Sequence, residues 1–157
     1  MADTNPGPAI TSNANSLAVL TPVNTQTYGG NYQGQDALRL LGQARGVNAN
    51  VVADTPIPVI NASKWVVQAV LCANASTTAV TNAFFSVNAA TNNGGTTIVA
   101  AVALASLNAT TYVKYMTVAT AASNTIQTGS TMYVNIGTTL AGAAATFDTY
   151  IYGYDLS

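Results

Sequence analysis

From Lys64 onward the chain consists of short runs in which apolar and polar residues alternate, separated by turn-forming residues. A period of two sorts side chains onto the two faces of a β-strand. Lys64–Cys72 (KWVVQAVLC) is rich in β-formers, and its alternation places Trp65, Val67, Ala69 and Leu71 on one face. Ala83–Ala89 sets Phe85 and Val87 against Phe84 and Ser86. Asn92-Asn93-Gly94-Gly95 is a strong turn signal, and Asn93-Gly94 suits a hairpin turn with positive φ angles. Thr96–Ala101 continues as a strand, whereas the alanines of Ala100–Leu107 would serve a helical turn equally well. Tyr112–Ala119 alternates again. In Thr131–Gly137, Met132, Val134 and Ile136 share a face. Ala145–Tyr154 puts Phe147, Thr149 and Ile151 on one side, with Asp148, Tyr150, Tyr152 and Tyr154 on the other. About six or seven short strands joined by turns predict a mainly β fold, a jelly-roll-like antiparallel β-sandwich. The pattern alone leaves an immunoglobulin-like sandwich open as well.

The N-terminal third reads differently. Residues 1–34 carry Pro6, Pro8, Pro22 and the pair Gly29-Gly30 among many Asn, Thr and Ser, which is punctuation without periodicity. The segment reads as an extended arm. Asp36–Arg45 (DALRLLGQAR) predicts a short helix, with Asp36 at its start, Leu38 and Leu41 three apart, and Gly46 as its stop. Gly42 weakens that helix from within. Thr55-Pro56-Ile57-Pro58 reads as an extended linker, because each proline biases its predecessor away from helical geometry. The expected organisation is therefore an arm over 1–59 and a sandwich domain over 60–157.

Composition narrows the chemistry. In 157 residues only 6% are charged, with four basic residues, five Asp, no Glu and no His, for a net charge of −1. A chain without a basic patch is not expected to bind nucleic acid. With one Cys and no His, the usual zinc constellations and a disulfide framework are both out of reach, and no cofactor or metal is expected. General acid–base catalysis would have to rely on Asp3, Asp36, Asp54, Asp148 or Asp155. Asp148 and Asp155, seven apart, would point to opposite faces of one strand, so no enzyme is expected. Cys72 lacks a His partner and reads as a buried, reduced thiol. The Asn-x-Ser/Thr sequons at Asn61, Asn74 and Asn108 read as chance matches in so Asn- and Thr-rich a chain. Met1–Pro8 lacks the basic and apolar regions of a secretory leader, and Ile98–Leu107 is too short to span a bilayer. Synthesis in the cytoplasm and no membrane partner are the expectation.

Two features point to protein partners. Tyr combines rigid apolar area with a polar tip, and it recurs in the arm (Tyr28, Tyr32) and along the last strand. No charged residue occurs from Trp65 to Val113, nor from Tyr115 to Phe147. A free monomer uses charge to blunt strand edges, so charge-free β-blocks suggest surfaces covered by copies of the chain or by a larger assembly.

A polar, Pro-containing arm ahead of an Ala/Thr/Val-rich β-domain that ends in TFDTYIYGYDLS resembles the small decoration (cement) proteins of tailed-bacteriophage capsids and related virion structural proteins. The resemblance implies a structural role on the capsid exterior of the virion. There a homotrimer would bridge and stabilise major capsid protein subunits. A receptor- or glycan-binding module of a phage fibre or surface appendage is the alternative. The residues expected to meet the partner are Tyr28, Tyr32, Leu38, Arg39, Leu40, Leu41 and Arg45.

Overall fold

The computed structural model describes residues 38–76, 83–104, 107–108, 113–139 and 145–157. The chain divides between Arg39 and Leu40 into two units, and the second, Leu40–Ser157, carries the architecture described below. Among the described residues there are eight strands: β1 (Arg39–Asn48), β2 (Ala53–Pro58), β3 (Trp65–Ala73), β4 (Phe84–Ala90), β5 (Gly94–Ala103), β6 (Val113–Met116), β7 (Thr131–Thr138) and β8 (Thr146–Asp155). A one-turn helix, α1 (Thr120–Ser123), precedes β7. Sheet I has the order β1-β8-β3-β6 and sheet II the order β2-β7-β4-β5. Pairing is antiparallel, as the mainly β expectation requires.

The alternation read from the sequence becomes burial in β7 and β8, while in β4 Ser86 and Asn88 are buried together with the apolar face. Phe85 and Val87, then Met132, Val134 and Ile136, then Phe147, Thr149 and Ile151 all face inward. The Phe85 and Phe147 rings, one from each sheet, meet edge to face at 5.9 Å. That is the favoured aromatic geometry and ties the two layers together. The β4–β5 hairpin forms where the turn signal placed it. Its positive φ angles fall on Asn92 and Asn93, one position earlier than the Asn93-Gly94 pair, and Gly94 N–H closes the turn onto Thr91 O at 3.0 Å.

Three expectations are corrected. Residues 39–45 lie in strand β1 rather than in a helix, because tertiary pairing beside β8 overrides a weak local preference already compromised by Gly42. A Cβ on Gly42 would stand 2.5 Å from Ile57 Cγ2, so the glycine permits β1 to pass close over β2. The Thr55–Pro58 linker is the edge strand β2. Val59 N–H donates to Ser130 O at 2.9 Å, so odd-numbered residues bond toward β7 and the missing N–H groups of Pro56 and Pro58 lie on the outer side. The boundary expected at 59/60 therefore moves back to Arg39/Leu40, since β1 and β2 are integral to the sheets. The rest of the arm lies outside the described residues.

A further correction concerns β3. Val67 pairs with Gly153 and Ala69 with Tyr152, which leaves Gln68 as the extra residue of a bulge. Beyond it the alternation changes phase. Trp65, Val67, Val70 and Cys72 enter the core, while Ala69 and Leu71 turn to the outer face.

Candidate interaction surface

The residues expected to bind a partner do not assemble into one patch. Tyr28 and Tyr32 lie outside the described residues. Leu38 is 54% exposed, and Arg39 and Leu40 are half-buried. Leu41 is fully buried in the core and is removed from the candidates: strand alternation sends it inward where Leu40 turns outward. Arg45 is exposed, with its guanidinium 5.9 Å from the centre of the Tyr150 ring.

Arg45 belongs to a polar cluster on the outer face of sheet I. Asp148 Oδ1 accepts Gly46 N–H at 2.9 Å, while Oδ2 accepts Asn74 Nδ2 at 2.8 Å and the Tyr150 hydroxyl at 3.1 Å. Partial burial works to raise the Asp148 pKa. Hydrogen bonds from Asn74, Gly46 and Tyr150, helped by the charge of Arg45, outweigh it and hold the carboxyl below its ordinary value. Tyr150 is pushed up, by desolvation first and then by the neighbouring carboxylate. The cluster joins β1, β8 and the end of β3. Both carboxylate oxygens are engaged, so the cluster clamps these strands together.

A second polar group lies on sheet II. Asp54 accepts Asn135 Nδ2 at 2.7 Å and Asn92 N–H at 2.8 Å. Beside it the Ser86 hydroxyl and Asn88 Nδ2 both donate to Asn93 Oδ1, at 2.8 and 3.0 Å. These residues anchor the β4–β5 turn to β2 and β7. Sequence reasoning missed them because Asn and Ser signalled only a turn.

The two lateral sides of the sandwich differ. Where β1 meets β2, Ile60 N–H donates to Leu41 O at 2.8 Å and Gly42 packs on Ile57, so that side is closed. On the other side, among the described residues, the edge strands β5 and β6 flank a cleft of about 390 Å³, bridged just past β6 where Ala119 N–H donates to Ile98 O at 2.9 Å. Its walls are Val99–Val102 of β5 and Lys114, Tyr115 and Met116 of β6. Val102, Val113 and Tyr115 stand exposed along these edges, at 39%, 48% and 72%. Lys114 is the only charged residue in either strand. Neither edge carries the prolines that blunt β2. The charge-free block was visible in the sequence. That β5, within the block, and β6, at its C-terminal end, border one cleft follows from the strand order.

Among the described residues no group of three or more metal-binding side chains occurs, and no helix is long and apolar enough to cross a membrane. Comparison with known proteins finds no matching family model, no matching curated protein and no matching solved structure.

Proposed function

We propose that the chain is a structural, non-enzymatic virion protein of the decoration type, a jelly roll that oligomerises and stabilises major capsid subunits on the particle exterior. The strand order carries this reading. β1 lies beside β8, β2 beside β7, β3 beside β6 and β4 beside β5. Such nesting is what a long antiparallel ribbon gives when it is rolled so that alternate strand pairs fall into two sheets. Capsid and lectin domains use this architecture. The fold by itself names no function. The reading gains support from the nearly uncharged β5/β6 side, whose strand edges, unpaired among the described residues, a monomer would leave as a template for aggregation. A partner covering it would act by mass action on the assembled state.

Lectin-like jelly rolls keep the glycan-binding alternative in view, and Tyr150 beside Asp148, Asn74 and Arg45 has the residue types for it. There the polar groups already satisfy one another, which favours the structural reading. Quantitative mass spectrometry of virions purified from the source of the sequence tests the choice. A decoration protein is present at hundreds of copies per particle and a fibre module at few. Absence from the particle overturns both.

A further inference from the structure

Resting on the oligomeric reading above, we propose that β6 is a self-association edge. Two copies would pair their β6 strands antiparallel about a two-fold axis through Tyr115, joining both copies of sheet I into one eight-stranded sheet. Among the described residues, β6 is the regular edge of that side. Its four residues pair with β3 without a register shift, from Val70↔Met116 to Ala73↔Val113. β5 shows three shifts against β4, and such irregularity spoils an edge for further pairing.

The register follows from symmetry and charge. In an antiparallel pair, directly opposed residues point to the same face, so a two-fold axis must pass opposite a residue that faces its own copy. Centring on Lys114 would set two ammonium groups face to face, which is destabilising. Centring on Tyr115 instead sets Lys114 opposite Met116 of the second copy and Val113 opposite Thr117. Tyr115 then meets Tyr115, an aromatic cross-strand pair of the favourable kind. Within one copy, Tyr150, Leu71 and Tyr115 already oppose one another across β8, β3 and β6. The two-fold continues this outer-face row through Tyr115, Leu71 and Tyr150 of the second copy. A second copy is the fitting occupant because the edge needs a partner strand that is short, regular and uncharged at the central position, and β6 itself meets all three requirements. A two-fold contact is closed, so the smallest assembly is a dimer rather than the trimer implied by the resemblance.

The test is made on the full chain by sedimentation and by cross-linking. Wild type should sediment at twice the 16.0 kDa of the chain. Tyr115→Lys places like charges directly opposite and should raise the dimer dissociation constant by roughly tenfold or more, an effect that molar salt partly reverses. Val52→Lys, at an exposed site between β1 and β2 on the opposite side, should leave it unchanged. Tyr115→Cys should form an intermolecular disulfide on air oxidation, because opposed strand positions lie within disulfide reach and Cys72 is buried. A monomeric wild type overturns the oligomeric reading as well. An oligomer that tolerates Tyr115→Lys, and whose Tyr115→Cys variant forms no cross-link, overturns the β6 edge alone. Retained circular dichroism in Tyr115→Lys distinguishes lost pairing from lost folding.

Discussion

Gly153 offers a direct test of the packing beside the β3 bulge. It pairs with Val67 in the β8–β3 ladder, and a Cβ added there would overlap Val66 O and lie 2.7 Å from Leu41 Cδ1. The obstacle is backbone in the middle of sheet I, so relief requires β3 or β8 to move. Forcing extra atoms into a packed site costs about 1–3 kcal/mol, and a clash with backbone belongs at or above the top of that range. Replacing glycine also restricts the unfolded chain, which returns roughly 0.4–1 kcal/mol. The clash wins, and Gly153→Ala should lose about 2–3 kcal/mol net. For a chain of this size that lowers the melting temperature by roughly 5–15 °C. Gly137→Ala is the control, since its nearest neighbour, Asn135 Oδ1, is 3.5 Å away and only the favourable backbone effect remains. Gly42→Ala should fall between the two, because its backbone contact, Pro58 O at 2.9 Å, is milder than the overlap with Val66 O, although the stiff, buried Ile57 side chain at 2.5 Å must also give way. Urea and thermal unfolding of the three variants give the order. If Gly153→Ala unfolds within about 2 °C of wild type, well short of the shift expected from the clash, or is no worse than Gly137→Ala, the close approach of β8 to Val66 is wrong.

Further outcomes follow from single side chains. Asp148 has a folded-state pKa below its unfolded value. Its contribution to stability is therefore full above the ordinary carboxylate value near 4 and is lost as pH falls through the lowered value. Asp148→Asn should flatten that acid limb in denaturation followed from pH 6 to pH 2. Burial, opposed by the hydrogen bond from Thr149, raises the Cys72 thiol to about 12. Thiol reagent at pH 8 should react only as the protein unfolds. The Cys72 contribution should be full below 9.0, the ordinary thiol value, and lost as pH rises toward about 12, a decline that Cys72→Ala removes. Leu41→Ala should cost roughly 2–5 kcal/mol in urea unfolding, whereas Leu38→Ala should stay within about 0.5 kcal/mol of wild type. Equal losses would put Leu41 back on the surface.

Some of this architecture was written locally. In β7 and β8 one face is core and the other is not, so the period of two in Met132/Val134/Ile136 and Phe147/Thr149/Ile151 translates directly into burial, whereas in β4 Ser86 and Asn88 are buried along with Phe85 and Val87. The turn before β5 was legible for a similar reason, to within one position, since the left-handed backbone of Asn92 and Asn93 needs residues that tolerate it.

Partners distant in the chain decided the rest. Leu38 and Leu41 have helical spacing, and only the place beside β8, more than a hundred residues away, makes their segment a strand. Pro56 and Pro58 argue against a strand until β2 is known to be an edge whose outer side needs no donors. The Gln68 bulge reverses the phase of β3 and sends Leu71 outward beside Tyr115 and Tyr150, because a bulge is a property of the pair and has no signature in one strand. Asp148 met Asn74, Gly46 and Arg45 only through β8 lying between β1 and β3. Side-chain period and turn chemistry act within a few residues and can be read along the chain. Register, edge position and the meeting of β5 with β6 are set by pairing across the whole domain, where burial and hydrogen bonding outweigh local preference.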